Sequence, residues 1–151
     1  MTGAEEMEKL TCREFKPGRR FAGRLPHAKD VIQSLETFCR ENNIRMGSFS
    51  LIGAVSCATI GAYDQKQQVY ITFRENRELE IISCTGNISL KDGNPFIHAH
   101  IALGDHEGKT VSGHLFSDTL VFAGEAEIQE FIGKPLERSH DDTTGLMLWK
   151  F

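Results

Sequence analysis

The sequence has no apolar run approaching the length of a membrane span, and its opening, MTGAEEMEKL, lacks the apolar core of a secretory signal. The expectation is a cytoplasmic protein with no membrane partner. Cysteine is scarce and scattered: Cys12, Cys39, Cys57 and Cys84 form no CxxC pair, which disfavours a cysteine zinc site or a redox dithiol. There is no glycine-rich phosphate loop, no GxSxG nucleophile elbow and no internal repeat, so the common nucleotide-binding and hydrolase classes are unsupported. Nor is there an excess of positive charge. With 17 Lys and Arg against 21 Asp and Glu, the formal net charge is −4, which disfavours a broad grip on nucleic-acid phosphates. An arginine-glycine-proline minor-groove hook is also absent.

What remains is ordinary for a globular chain, with 25% charged and 40% hydrophobic residues. A length of 151 residues suits one domain with a real core. Residues 1–12 read as a polar, flexible start, and 13–151 as the domain. The segment CREFKPGRRFAGRLPH crowds Arg13, Lys16, Arg19, Arg20 and Arg24 around Pro17 and Gly18. It reads first as a solvated edge strand protected by its charges, and second as an anion contact in which Arg19 and Arg20 are the DNA-binding candidates.

From about Ala28 to Asn43 the period is helical, with Val31, Ile32, Leu35, Phe38 and Cys39 on one apolar stripe. Asn42 and Asn43 can close this helix, since asparagine tolerates left-handed backbone. Strand-like segments follow at Gly47 to Ile60, Gln68 to Arg74, Leu79 to Leu90 and Leu120 to Phe131, with LMLWKF from Leu146 as a last strand or docked tail. The fold class is therefore α+β, a curved and largely antiparallel sheet with one principal helix.

The stretch FIHAHIALGDHEGKTVSGHLF, Phe96 to Phe116, holds four of the six histidines. Ile97, Ala99, Ile101, Leu103, Val111, Gly113 and Leu115 are small or apolar and fall at odd positions. Phe96, His98, His100, Thr110, Ser112, His114 and Phe116 fall at even ones. Side chains alternate between faces along a strand, so the pattern suits two half-buried strands joined through the turn GDHEG. Residues directly opposite share a face, and an even pairing sum of 212 or 214 keeps all odd residues inward. Either sum sets His114 across from His98 or His100 and gathers three imidazoles.

Three neutral imidazoles with an open fourth position suit zinc, although other divalent transition metals also accept this donor set. The candidate metal ligands are thus His98, His100 and His114; the alternative is that His98 and His100 are polar-face residues at a subunit contact, with His114 a hydrogen-bonded neighbour. Glu80, in an otherwise apolar strand, is the candidate pocket acid, whereas Glu127 reads as facing solvent. His27, His106 and His140 lie in loops or turns, and Trp149 reads as a core or interface anchor.

The helix followed by NNIRMGSFSLIGAVSCATIGAYD, then LEIISCTGNISL and GNPFIHAHIALGDHEGKTVSGHL, resembles the plant and prokaryote conserved (PPC) domain, from roughly Phe21 onward. The resemblance implies an α+β domain that assembles as a homotrimer. In plants the domain accompanies AT-hook motifs in nuclear DNA-binding proteins; in bacteria and archaea it stands alone. That implies a DNA-binding or regulatory module. The fold is also similar to acetolactate decarboxylase, whose zinc is held by three histidines, two of them in an HxH pair matched here by His98 and His100, with His114 as the third. That likeness implies, as the alternative, a zinc-dependent lyase acting on a small oxo or hydroxy acid. The remaining catalytic residues of that enzyme have no counterparts identifiable here. A third expectation is a trimeric sensor whose metal or metal-bound ligand alters partner binding, without catalysis.

Overall fold

A computed structural model describes residues 9–151, and the first eight positions of the expected flexible start lie outside the described residues. The architecture is α+β, with eight strands in one sheet and a single helix among the described residues. In chain order these are β1 (Lys16–Arg24), α1 (Val31–Glu41), β2 (Gly47–Asp64), β3 (Val69–Glu75), β4 (Leu79–Lys91), β5 (Asn94–Gly104), β6 (Thr110–Ile132), β7 (Glu137–His140) and β8 (Met147–Lys150). All strand pairings are antiparallel except a single parallel bridge between β4 and β7.

The curvature follows from the pairing. Strand β2 pairs with both β4 and β6, β4 with β5, and β5 with β6, so these four close on themselves. Closure needs long strands that bend, and β2 and β6, with 18 and 23 residues, bend at register shifts. The residues left over at two such shifts, Ile82 in β4 and Phe122 in β6, are turned outward and stay exposed. Inside lies one core containing Phe49, Leu51, Val55, Ile60, Ile88, Ile101, Leu103 and Leu115, all buried.

The helix is shorter than its apolar period suggests. It starts at Val31 because Asp30 caps it, accepting from the Gln33 backbone N–H at 2.9 Å, while Ala28 sits in left-handed backbone. It ends at Glu41 with Asn42 as cap and Asn43 in left-handed geometry, the role asparagine suits. Val31, Leu35 and Cys39 are buried, and Phe38 packs edge-on against Phe21 of β1. The second carboxylate oxygen of Asp30 accepts from the Thr119 N–H at 3.1 Å, fastening the helix start to β6.

The charged segment forms edge strand β1, paired only with the second half of β6. Three features differ from the sequence expectation. Strand β6 runs unbroken through Ser117 and Asp118, joining the expected strands that end at Phe116 and begin at Leu120, with a left-handed Asp118 and a shifted register at the join. Strand β7 adds an unexpected short element that pairs with β8. Val69, Ile71 and Phe73 alternate as an inward face would, yet β3 is also a sheet edge and all three are exposed.

Candidate metal centre

The histidine hairpin adopts the even register with sum 214: His100 faces His114, Ile101 faces Gly113 and Leu103 faces Val111. Ile97, Ala99, Ile101, Leu103 and Leu115 point into the core, and the even residues form the opposite face. His98 lies two residues from His100 on the same face of β5. The same register that buries the apolar residues therefore collects the imidazoles. Their ring centroids are 5.0 Å (His98 to His114), 5.3 Å (His98 to His100) and 5.6 Å (His100 to His114) apart. One nitrogen of each lies within 4.8 Å of the others.

Neighbouring strands complete the surroundings. On β4, Thr85 and Asn87 pair with His100 and His98 and share their face. On β2 the residue opposite His114 is Gly61, and a Cβ there would meet the Ile71 carbonyl oxygen at 2.4 Å. Tyr70 of β3 lies beside His114 at 4.8 Å between ring centroids and packs edge-on against Tyr63 and Phe116. The loop before β8 closes one side, where the Tyr63 hydroxyl donates to the Thr144 carbonyl at 2.8 Å. The result is a pocket of about 950 Å³ that contains the three histidines, Tyr70, Thr85 and Thr144. Among the described residues no Asp or Glu lines it.

Burial favours the neutral imidazole at two of the three sites. The His98 pKa is pushed down to about 4 by desolvation, then by the positive charge of Arg138 and by His100. The His114 pKa is likewise lowered to about 4, by desolvation and then by the other two histidines and Arg138. Neutral imidazole is the form that ligates a metal. Zinc–nitrogen bonds of about 2.0–2.1 Å in tetrahedral geometry require nitrogens roughly 3.3 Å apart. The set is thus assembled on one side of a pocket, in a slightly more open arrangement than a bound metal would impose. The donor chemistry fits zinc or another borderline divalent ion.

The remaining candidates lie elsewhere. Glu80 faces outward at the far end of β4, in a cleft with Ile52, Ile82, Phe122 and His27, and does not enter the histidine pocket. Glu127 is exposed on β6 and meets Arg20 at 3.5 Å. Arg19 forms a charge-assisted pair with the buried Glu130, through Nε at 2.7 Å and a terminal nitrogen at 2.8 Å, and also donates to the Asn42 carbonyl. Both DNA candidates therefore stand beside carboxylates. His27, His106 and His140 lie outside the three-histidine group.

Two residues near the pocket escape sequence reasoning. Tyr70 sits in a strand whose apolar alternation draws attention to its neighbours. Arg138, in the polar run ERSH, looks solvated but is buried over β4, bonded to Ser89 and Asn87. Only the packing of β7 and β8 reveals it.

Known proteins share the fold. Residues 12–132 match the Plants and Prokaryotes Conserved (PCC) domain. A solved structure described as a metal-containing protein from Archaeoglobus fulgidus is 41% identical, with a TM-score of 0.90 over 94% of this chain and 100% of its own. A plant- and prokaryote-conserved (PPC) protein from Pyrococcus horikoshii is 33% identical, with a TM-score of 0.89 over 94% of this chain and 98% of its own. A protein from Bacteroides thetaiotaomicron, provisionally described as DNA-binding, is 26% identical, with a TM-score of 0.81 over 91% and 97% of the two chains. A curated relative, the bifunctional protein GlmU from Synechococcus sp. (strain JA-3-3Ab), is 30% identical over 126 residues; the aligned region is 82% of this chain but only 19% of that protein's length. The family match spans most of the domain, including β1 to β6 and all three histidines, and the chain belongs to the Plants and Prokaryotes Conserved (PCC) domain family.

Proposed function

We propose that this chain is a regulatory binding module in which His98, His100 and His114 hold a divalent metal, zinc, and the pocket around them admits a small ligand. The observation that carries this reading is the convergence of three imidazole nitrogens within 4.8 Å on one pocket wall. A bound zinc would supply a Lewis-acidic position for an oxygen donor. The chain's own contribution is to keep two imidazoles neutral by burial and to shape the pocket with Tyr70, Thr85 and Thr144. The metal-containing description of the Archaeoglobus protein supports the reading. Zinc titration of metal-free protein tests it: one zinc per chain is expected, and failure to bind zinc at neutral pH contradicts it.

The module is further proposed to work as a cytoplasmic homotrimer. Edge strand β3, with Val69, Ile71 and Phe73 exposed, and the outward Ile52, Ile82 and Phe122 supply apolar surface that association would cover. No helix among the described residues is long and apolar enough to cross a membrane. Light scattering should give three chains per particle, and a monomer at all working concentrations refutes the assembly.

A DNA-associated role is the second reading, favoured by the provisional description of the Bacteroides neighbour. The acidic balance and the carboxylates beside Arg19 and Arg20 weigh against it. Duplex binding with a steep salt dependence, weakened by charge reversal at Arg20, would establish it. The lyase reading draws on the same metal position, but the pocket offers hydroxyls rather than carboxylates for proton transfer. Tyr70 is one candidate, and its pKa is raised chiefly by burial. Turnover of a small oxo or hydroxy acid that disappears in His98→Ala would favour it.

A further inference from the structure

Among the described residues Arg138 is the one buried cation, 8% exposed, and it forms no ion pair. Withdrawing a guanidinium from water without an anion is strongly unfavourable, so its surroundings should show what offsets this. Part of the answer is local. Nε donates to Ser89 Oγ at 2.9 Å, one terminal nitrogen to the Met147 carbonyl at 2.9 Å and the other to Asn87 Oδ1 at 2.7 Å. The faces of Phe96 and Trp149 lie 5.2 Å and 5.8 Å from the guanidinium carbon. All these partners are neutral.

A guanidinium carries five N–H groups, and three are engaged here, which leaves one on each terminal nitrogen. A guanidinium with N–H donors to spare and no anionic partner is a group suited to a carboxylate. The position also matters. Asn87, which holds one end of the guanidinium, is paired with His98 across β4 and β5, and Leu146, next to Met147, lines the histidine pocket.

We propose that Arg138 is the anion-binding group of the histidine pocket, and that the ligand admitted there is a small carboxylic acid. The assignment rests on the metal-site reading and names the ligand class for it. The neutral cradle of Ser89, Asn87 and Met147 fixes the fork while leaving its charge uncompensated until an acid enters. A purely structural strut between β4 and the β7–β8 hairpin would have no need of a net charge.

The test uses the full chain loaded with cobalt(II), whose visible absorption reports ligands, titrated with lactate and with the uncharged lactamide. The unmodified protein should respond to lactate at a concentration at least tenfold lower than to lactamide. Arg138→Gln should lose that preference, and Arg138→Lys should regain part of it, while cobalt still binds to both. Equal response to the two probes in the unmodified protein, or no response to either, overturns the assignment even if the glutamine variant fails to fold. Retention of the lactate preference in folded Arg138→Gln also overturns it. If the protein takes up no cobalt, it is the metal reading that fails, and lactate is then followed through the fluorescence of Trp149, the single tryptophan. A lactate-specific change abolished by Arg138→Gln supports the anion site on its own, and no change refutes it.

Discussion

His100 and His114 stand directly opposite each other on the β5–β6 ladder, fourteen positions apart in sequence, with His98 on the same face. The third ligand is thus supplied by strand register. Removing it should leave an HxH pair with little hold on a metal. His114→Gln is expected to weaken zinc binding by more than about 100-fold, beyond the 10–100-fold typical of losing an outer-shell partner. Competition against a chromogenic chelator measures this; an affinity within threefold of the unmodified chain would exclude His114 as a ligand.

The pH response of the metal-free protein follows from the same residues. Folding lowers the His98 and His114 pKa values from the ordinary 6.5 to about 4, chiefly by burial. Between those values the unfolded chain binds more protons than the folded one. The stability linked to the neutral rings is fully present above about pH 6.5 and is lost as pH falls towards 4. Urea midpoints should therefore fall between pH 6.5 and 4.5, and His98→Asn/His114→Asn should flatten the decline across that window.

How much of this is legible in the sequence depends on whether the signal is local. The parity of Phe96 to Phe116 fixes strand faces, and the demand that Ile101 and Leu115 be buried together fixes an even register. The helix stripe is equally local. Arg138 is different, because its burial arises from where β7 and β8 come to rest, and nothing in ERSH distinguishes it from a solvated arginine. Likewise Val69, Ile71 and Phe73 have the composition of a buried strand but lie at an edge of this chain.

Arg19 and Arg20 look alike in sequence and should behave differently. Glu130 is buried and accepts from both the Arg19 side chain and its backbone N–H, interactions that hold its carboxyl below the usual range. Arg20 meets Glu127 in the open. Arg19→Glu should lower stability measurably, since it places two carboxylates together. Arg20→Glu should change stability by less than about 0.5 kcal/mol. Chemical denaturation compares them, and equal losses would mean that the Arg19–Glu130 pair contributes nothing to folding.

Asp30 joins the helix start to β6 through Gln33 and Thr119. Asp30→Ala removes a cap and leaves the buried Thr119 N–H without its acceptor, for an expected loss of about 2–3 kcal/mol. Asp30→Asn should recover more than half, because its amide oxygen can still accept. A denaturation midpoint unchanged in the alanine variant would show that the fastening is dispensable.

Elemental analysis of protein purified without a metal-affinity tag, set beside His98→Ala/His100→Ala, bears most directly on the metal centre. The account predicts close to one zinc or other divalent transition ion per unmodified chain, and none in the variant despite an unchanged circular dichroism spectrum. An unmodified protein that stays metal-free after dialysis against zinc, or a variant that keeps its metal, would contradict it.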